Sequence, residues 1–290
     1  MTCDCCAADD WRPLFSENDI RLGHCSQCDL HSIEEIPAGD VRMTEMEEGH
    51  YAGTQQVLDA RRQLAAERVL TERFSRFVSQ AQRHAPGGAW LDLGCGGGLL
   101  MQLAQEAGYQ AEGIELNNER RQIAEEATGA PVHGAPVEDV AFPDDSFDVI
   151  SMINVFSHLT SPARTFAELR RILRPGGVLV MATGEITEGA RAHHMLNWNL
   201  GDHLHFLGDR TMEQYAERLG LTILEHERRW LPDEMFSREW LTVKGRSPVK
   251  NGIKTAIRVT PGGLKALRAV MLRRQAGSAA HSGVFVIAAA

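Results

Sequence analysis

The chain has 290 residues, 43% hydrophobic and 24% charged, an ordinary globular balance that excludes wholesale disorder, collagen and coiled coil. Its net charge of −9 is uneven: residues 241–290 hold nine Lys and Arg and no acid, which leaves −18 on the first 240. An acidic body repels a polyanion such as duplex DNA or folded RNA, while the basic end suits a small anionic partner. The length predicts one catalytic domain plus something smaller. No window reaches the roughly 18 uninterrupted apolar residues of a membrane helix. Residues 1–10 lack the basic start and apolar run of a signal peptide, so a cytoplasmic protein with no membrane span is expected.

Five of the six cysteines lie in the first 28 residues: Cys3, Cys5, Cys6, Cys25 and Cys28. Cys3-x2-Cys6 and Cys25-x2-Cys28 flank an 18-residue interval, the paired spacing of a tetrahedral zinc site whose knuckles are joined by a short hairpin. Four thiolates leave no open position, so the expected Zn2+ is structural. Cys5 is the spare thiol, with Cys3/Cys5 the less favoured knuckle and His24 or His31 a substitute ligand. This zinc-binding module is expected to end at residue 36, just before Pro37.

A helical segment follows over 37–88, its helix expected from Thr54 to His84, with Phe74, Phe77, Val78 and Ala81 at helical spacing and Pro86-Gly87-Gly88 as the stop. Strands are expected over 89–93, 111–116, 132–134, 147–154, 178–183, 221–227 and 283–288. Helices are expected over 98–107, 118–128, 162–173 and 211–219, with Ser161 as an N-cap and Pro162 in the first turn. Strands alternating with helices of about ten residues predict βαβ units and an α/β fold with a mostly parallel sheet.

The first of those strands runs into Gly94-Cys95-Gly96-Gly97-Gly98, where the backbone turns tightly and the next helix points its N-terminus at a ligand. A dinucleotide fingerprint needs its third glycine at position 99, which is Leu99. Glu115 ends the second strand, where a carboxylate accepts ribose hydroxyls.

Residues 91–183 resemble the class I S-adenosylmethionine-dependent methyltransferases. LDLGCGGG is similar to the family's first motif, GIEL to its ribose motif, PVEDVAFPDDSFDVI to its adenine loop and fourth strand, and LRRILRPGGVLVMAT to the helix, turn and fifth strand. The resemblance implies a seven-stranded Rossmann-like sheet over 89–290, its last strand antiparallel beside the sixth. It implies that Asp92, Gly94, Cys95 and Gly96 line the methionine end of the cofactor, that Glu115 holds the ribose, that Val137 and Glu138 border the adenine, and that Asn154 lies near the sulfonium. Two positions depart from the family pattern. Ala135-Pro136 stands where relatives carry an acid and a small residue, and Ser157-His158 where relatives often read Glu-His, which removes a carboxylate partner from His158.

Zinc knuckles with this domain resemble a bacterial group that methylates small molecules, including sugar C-methyltransferases and tailoring enzymes. Residues 202–207 resemble a substrate-side segment of ubiquinone-pathway O-methyltransferases. A small-molecule acceptor is therefore expected, at oxygen, nitrogen or carbon. The insertion 184–210 on the substrate side carries His193, His194, Trp198, His203 and His205. Of these, His203 and His205 are the expected general bases, since alternating positions on an extended segment share a face. A metal site built from that pair is disfavoured, because no carboxylate-rich set accompanies it. The basic insertion 244–275 precedes the last strand. Its expected helix over 263–274 reads as a solvated embellishment, with contact to an anionic group on the acceptor as the functional alternative. Two other functions compete: a zinc-containing ribosomal-RNA methyltransferase, opposed by the acidic body, and a non-enzymatic cofactor-binding protein.

Overall fold

The computed structural model describes residues 2–17, 19–37, 60–186, 200–229, 248–267 and 280–289. His193, His194 and Trp198, residues 268–274 of the basic segment, and the helix start expected at residue 54 lie outside these residues. In chain order the elements are β1 (Trp11–Glu17), β2 (Ile20–Cys25), β3 (His31–Ile33), α1 (Ala60–His84), β4 (Gly88–Leu93), α2 (Leu99–Glu106), β5 (Tyr109–Ile114), α3 (Asn118–Thr128), β6 (Val132–His133), β7 (Phe147–Ile153), α4 (Pro162–Ile172), β8 (Leu173–Ile186), β9 (His205–Phe206), α5 (Thr211–Leu219), β10 (Leu221–Arg229), α6 (Pro248–Val259) and β11 (Ala280–Ala289).

Seven strands form one sheet in the order β10-β11-β8-β7-β4-β5-β6. β8, β7, β4, β5 and β6 are parallel, and β11 lies antiparallel between β8 and β10. Successive strand residues face opposite sides, so each strand feeds two cores. Trp90, Val149, Val178, Val180 and Val286 pack with Phe77 and Ala81 of α1 and Leu100, Met101 and Ala104 of α2. Leu91, Ile150, Leu179, Met181 and Phe285 pack with Phe166 and Leu169 of α4 and Tyr215 of α5. This is the α/β architecture expected for 89–290, with β8 and β10 running past their expected ends and α6 unanticipated.

The N-terminal strands form a second sheet, β1-β2-β3-β9, all antiparallel. Its fourth strand is not N-terminal: His205 and Phe206 of the substrate-side insertion pair with Ser32 and His31. Leu22, Ile33, Leu204 and Phe206 make its own small core. The sheet is tied to the large one where Ile186 donates its N–H to Leu207 O (2.7 Å) and Leu204 N–H reaches Ser157 O (2.6 Å).

Candidate functional site

A cavity of about 640 Å³ opens at the C-terminal ends of β4, β5 and β7, the edge where ligands bind in parallel α/β sheets. The glycine loop forms part of its wall. Gly94 and Cys95 donate their N–H groups to Ile114 O (2.8 and 3.0 Å) and so turn the chain back over β5. Gly94 has φ +73°, and a Cβ there would sit 2.4 Å from Val155 Cγ2, so only glycine fits. Asn154 follows β7 with φ 59°, a left-handed conformation that asparagine tolerates, and its N–H is held by Ala182 O at 2.7 Å.

Of the expected cofactor residues, Gly94, Glu115, Val137, Glu138 and Asn154 line the cavity. The Glu115 carboxylate is fixed by two backbone amides, accepting from Gly96 N–H (2.9 Å) through Oε2 and from Asn117 N–H (2.9 Å) through Oε1. Each oxygen keeps a lone pair for a further donor. Glu138 accepts from the Thr165 hydroxyl. Asp92, Cys95 and Gly96 do not form the lining. Asp92 is 3% exposed, inside β4, where the Ser151 hydroxyl donates to it at 2.6 Å and Ser151 in turn accepts from Trp90 Nε1 at 2.8 Å. Burial pushes the Asp92 carboxyl up to about 7, against the lowering effect of the Ser151 hydrogen bond. Burial likewise pushes the Cys95 thiol up. These residues shape the loop from behind it, and Gly96 contributes an amide to Glu115 instead of a wall.

The two expected bases part company. His205 is fully buried in β9, its Nδ1 2.6 Å from the Ser32 hydroxyl, and desolvation drives it down to about 4. It is a neutral core histidine in the seam between the sheets, and a sealed imidazole has no route to a reacting proton. His203 precedes the strand, so the alternation argument fails there. It is half-buried and packs against His158, ring centroids 4.9 Å apart, and against Phe206. The imidazole that lines the cavity is His158, set aside by the sequence for want of a carboxylate neighbour. Its orienting partner is a backbone oxygen, Asp202 O, at 2.9 Å from Nδ1. Motif spacing carried no sign of that contact.

Further around the wall stand Ser161, Arg164 and Thr165 of the α4 N-terminus. Ser161 occupies the N-cap position but makes no capping bond itself. Asp4 caps the helix from across the molecule, accepting from Ala163 N–H (2.6 Å), the Ser161 hydroxyl (2.8 Å) and the Tyr215 hydroxyl (3.0 Å). Asp4 sits inside the Cys3-x2-Cys6 turn. Cys3, Cys6, Cys25 and Cys28 bring their Sγ atoms within 4.8 Å of one another, with Cys3–Cys28 and Cys6–Cys25 both at 3.5 Å and no disulfide. Cys5 is not one of the four, and its Sγ is directed at Thr211 O (3.7 Å). Arg210 clamps Asp29 beside this cluster, holding that carboxyl below its usual range.

A family model described as a methyltransferase domain matches residues 60–226, more than half of the chain. The chain belongs to that family. The methyltransferase domain is 37% identical over 102 residues to 2-methyl-6-phytyl-1,4-hydroquinone methyltransferase of Synechocystis, covering 33% of this chain and 32% of the relative. Ubiquinone biosynthesis O-methyltransferase of Aromatoleum aromaticum is 26% identical over 152 residues, 47% of this chain and 64% of that one. Both alignments span less than two thirds of the relative's own length. The structure of a putative sarcosine dimethylglycine methyltransferase from Galdieria sulphuraria superposes with a TM-score of 0.55 at 18% identity, over 76% of this chain and 85% of that one; at that identity the likeness is one of fold. No described helix of this methyltransferase domain is long and apolar enough to cross a membrane.

Proposed function

We propose that this protein is an S-adenosylmethionine-dependent methyltransferase acting on a small-molecule acceptor, with a structural zinc in its N-terminal module. The observation that carries the reading is the cavity at the sheet's C-terminal edge with Glu115 held ready by the Gly96 and Asn117 amides. Those residues fit the cofactor: Glu115 would take the ribose hydroxyls, Val137 and Glu138 would border the adenine, and the glycine at 94 leaves room for the methionine end. Asn154 and His158 stand toward the acceptor. Bound S-adenosylmethionine supplies a methyl group on a sulfonium whose leaving group departs neutral, so the protein's part is alignment and exclusion of water. A quinone-like acceptor is favoured by the two curated relatives, one named for a hydroquinone and the other for ubiquinone biosynthesis.

The cysteine cluster fits zinc. With Zn–S of about 2.3 Å a tetrahedral site has S–S edges of about 3.8 Å, close to the observed separations. Two knuckles thus bring four thiols to one point with no disulfide between them, the donor set that a closed tetrahedral zinc takes. We take 1–36, 37–88 and 89–290 as the working divisions, with 205–206 of the 184–210 insertion belonging structurally to the first. Calorimetry tests the cofactor reading: S-adenosylhomocysteine should bind more tightly than NAD, and the reverse order would sink it.

A further inference from the structure

A second group of metal-capable side chains, apart from the cysteines, reaches the cavity through His158. His158 follows β7, while Asp202 and His203 belong to the substrate-side insertion, and one ligand atom from each lies within 4.8 Å of the others. All three are half-buried. The His158 ring is fixed in a particular way. Its Nδ1 lies 2.9 Å from the backbone oxygen of Asp202, and a carbonyl only accepts, so Nδ1 carries the proton and a metal on this ring would bind Nε2. Metal-bound histidines are held in this manner, with the second ring N–H tied to a carbonyl that sets tautomer and direction. The same residue, Asp202, thus orients one ligand with its main chain and offers another with its side chain. His203, 4.9 Å from His158 between ring centroids, supplies the third.

We propose that His158, Asp202 and His203 bind one divalent first-row cation at the acceptor end of the cavity, and that this cation takes an oxygen of the acceptor. Two imidazoles and one carboxylate select such an ion over Mg2+ or Ca2+, which prefer all-oxygen shells. Three protein ligands leave coordination positions open, and His158 lines the cavity. The second role rests on the methyltransferase reading. There, a cation lowers the pKa of a coordinated hydroxyl toward neutrality. The O–H bond breaks with its proton passing to water. The oxygen keeps the electron pair and takes the methyl group, and the S–CH3 bond breaks with its pair left on sulfur. No protein base is required, which agrees with the burial of His205.

The test uses full-length protein with its cysteine cluster loaded with zinc, titrated with Co2+. One further equivalent should bind, showing visible ligand-field bands without a sulfur-to-cobalt charge-transfer band. His203→Ala and Asp202→Asn should each weaken it about 10- to 100-fold. No further equivalent, a spectrum carrying the sulfur band alone, or His203→Ala binding as tightly as the parent would each overturn the site. S-adenosylhomocysteine calorimetry on the same samples separates the two readings. Homocysteine-nucleoside binding without cobalt removes the cation site and leaves the methyltransferase; cobalt binding without it leaves the site and removes its role in methyl transfer.

Discussion

The two sheets of this protein are stabilised by different means. The seven-stranded sheet is closed on both faces by helices and apolar side chains, and its pairings join strands mostly separated by a single helix. Among the described residues the four-stranded sheet has a core of six buried apolar side chains, Leu22, Ile33, Ile186, Leu200, Leu204 and Phe206, half of them brought from after β8. Around it run buried thiols, ion pairs and hydrogen bonds that reach 157 to 211 positions along the chain, such as Ser161 and Tyr215 to Asp4. A small core needs a staple, and here Asp4, within the first cysteine pair, also bonds Ser161 of the cavity wall.

If the cysteine cluster holds zinc as proposed, losing it should break the small sheet first. Metal analysis of the parent should find one zinc per chain, which Cys28→Ser should lose and Cys5→Ser should keep. Structural zinc contributes on the order of 10 kcal/mol, so amide exchange of β1–β3 in Cys28→Ser should become unprotected while β4, β7 and β8 stay protected. Loss of protection in both sheets together would show them to be one cooperative unit.

Acid should act on the two sheets with opposite sign. His205 has its folded-state value lowered to about 4 by burial, so its stabilising contribution is complete above the unfolded value of about 6.5 and is lost as pH falls toward 4. Asp92 is raised to about 7, chiefly by burial, so the native state holds that proton tightly. Its contribution is greatest below the unfolded value of about 3.9 and declines as pH rises to about 7. Each group is worth up to about 3–4 kcal/mol across its window. Thermal melts of Asp92→Asn should gain on the parent at pH 8 relative to pH 5, and His205→Asn should flatten the loss between pH 6.5 and 4.5. Parallel melting curves for parent and variants would refute the assignment.

Smaller effects belong to single contacts. Glu115→Ala should weaken S-adenosylhomocysteine binding by about 1–3 kcal/mol, read by calorimetry, with zinc content unchanged. Asp4→Ala removes the cap on α4 and should cost about 1 kcal/mol of stability. Because Thr165 of α4 holds Glu138 at the proposed adenine side, that variant should also weaken S-adenosylhomocysteine binding, read by the same calorimetry.

The large sheet was legible because its signals are local. Alternation within a strand, an amphipathic helix, and a glycine loop at a strand end all fit inside a window of about 15 residues, and α3 and α5 fall on their expected bounds. The cysteine spacing was legible for the same reason. What the small sheet takes from elsewhere was not: β9 is two residues long, too short for any period, and pairs with β3 more than 170 positions away, as in His205 with Ser32. The lost carboxylate beside His158 argued against a held imidazole, yet its support is a main-chain oxygen 44 positions on, which no side-chain motif encodes. Asp4 reads in sequence only as a residue between thiols.

The place of β11 has a consequence for the order in which the protein is made. β10 touches the sheet only through β11, and β11 fills the gap beside β8 with Val284, Phe285, Val286 and Ile287, all buried. During synthesis the ribosome releases β8 and β10 before the strand that joins them. Until about 50 further residues have emerged, β8 has an open apolar edge, the kind of edge that recruits other strands. The nascent chain thus passes through a stage in which the parallel half is complete and its flank is exposed, and the last strand to appear is the one that closes it.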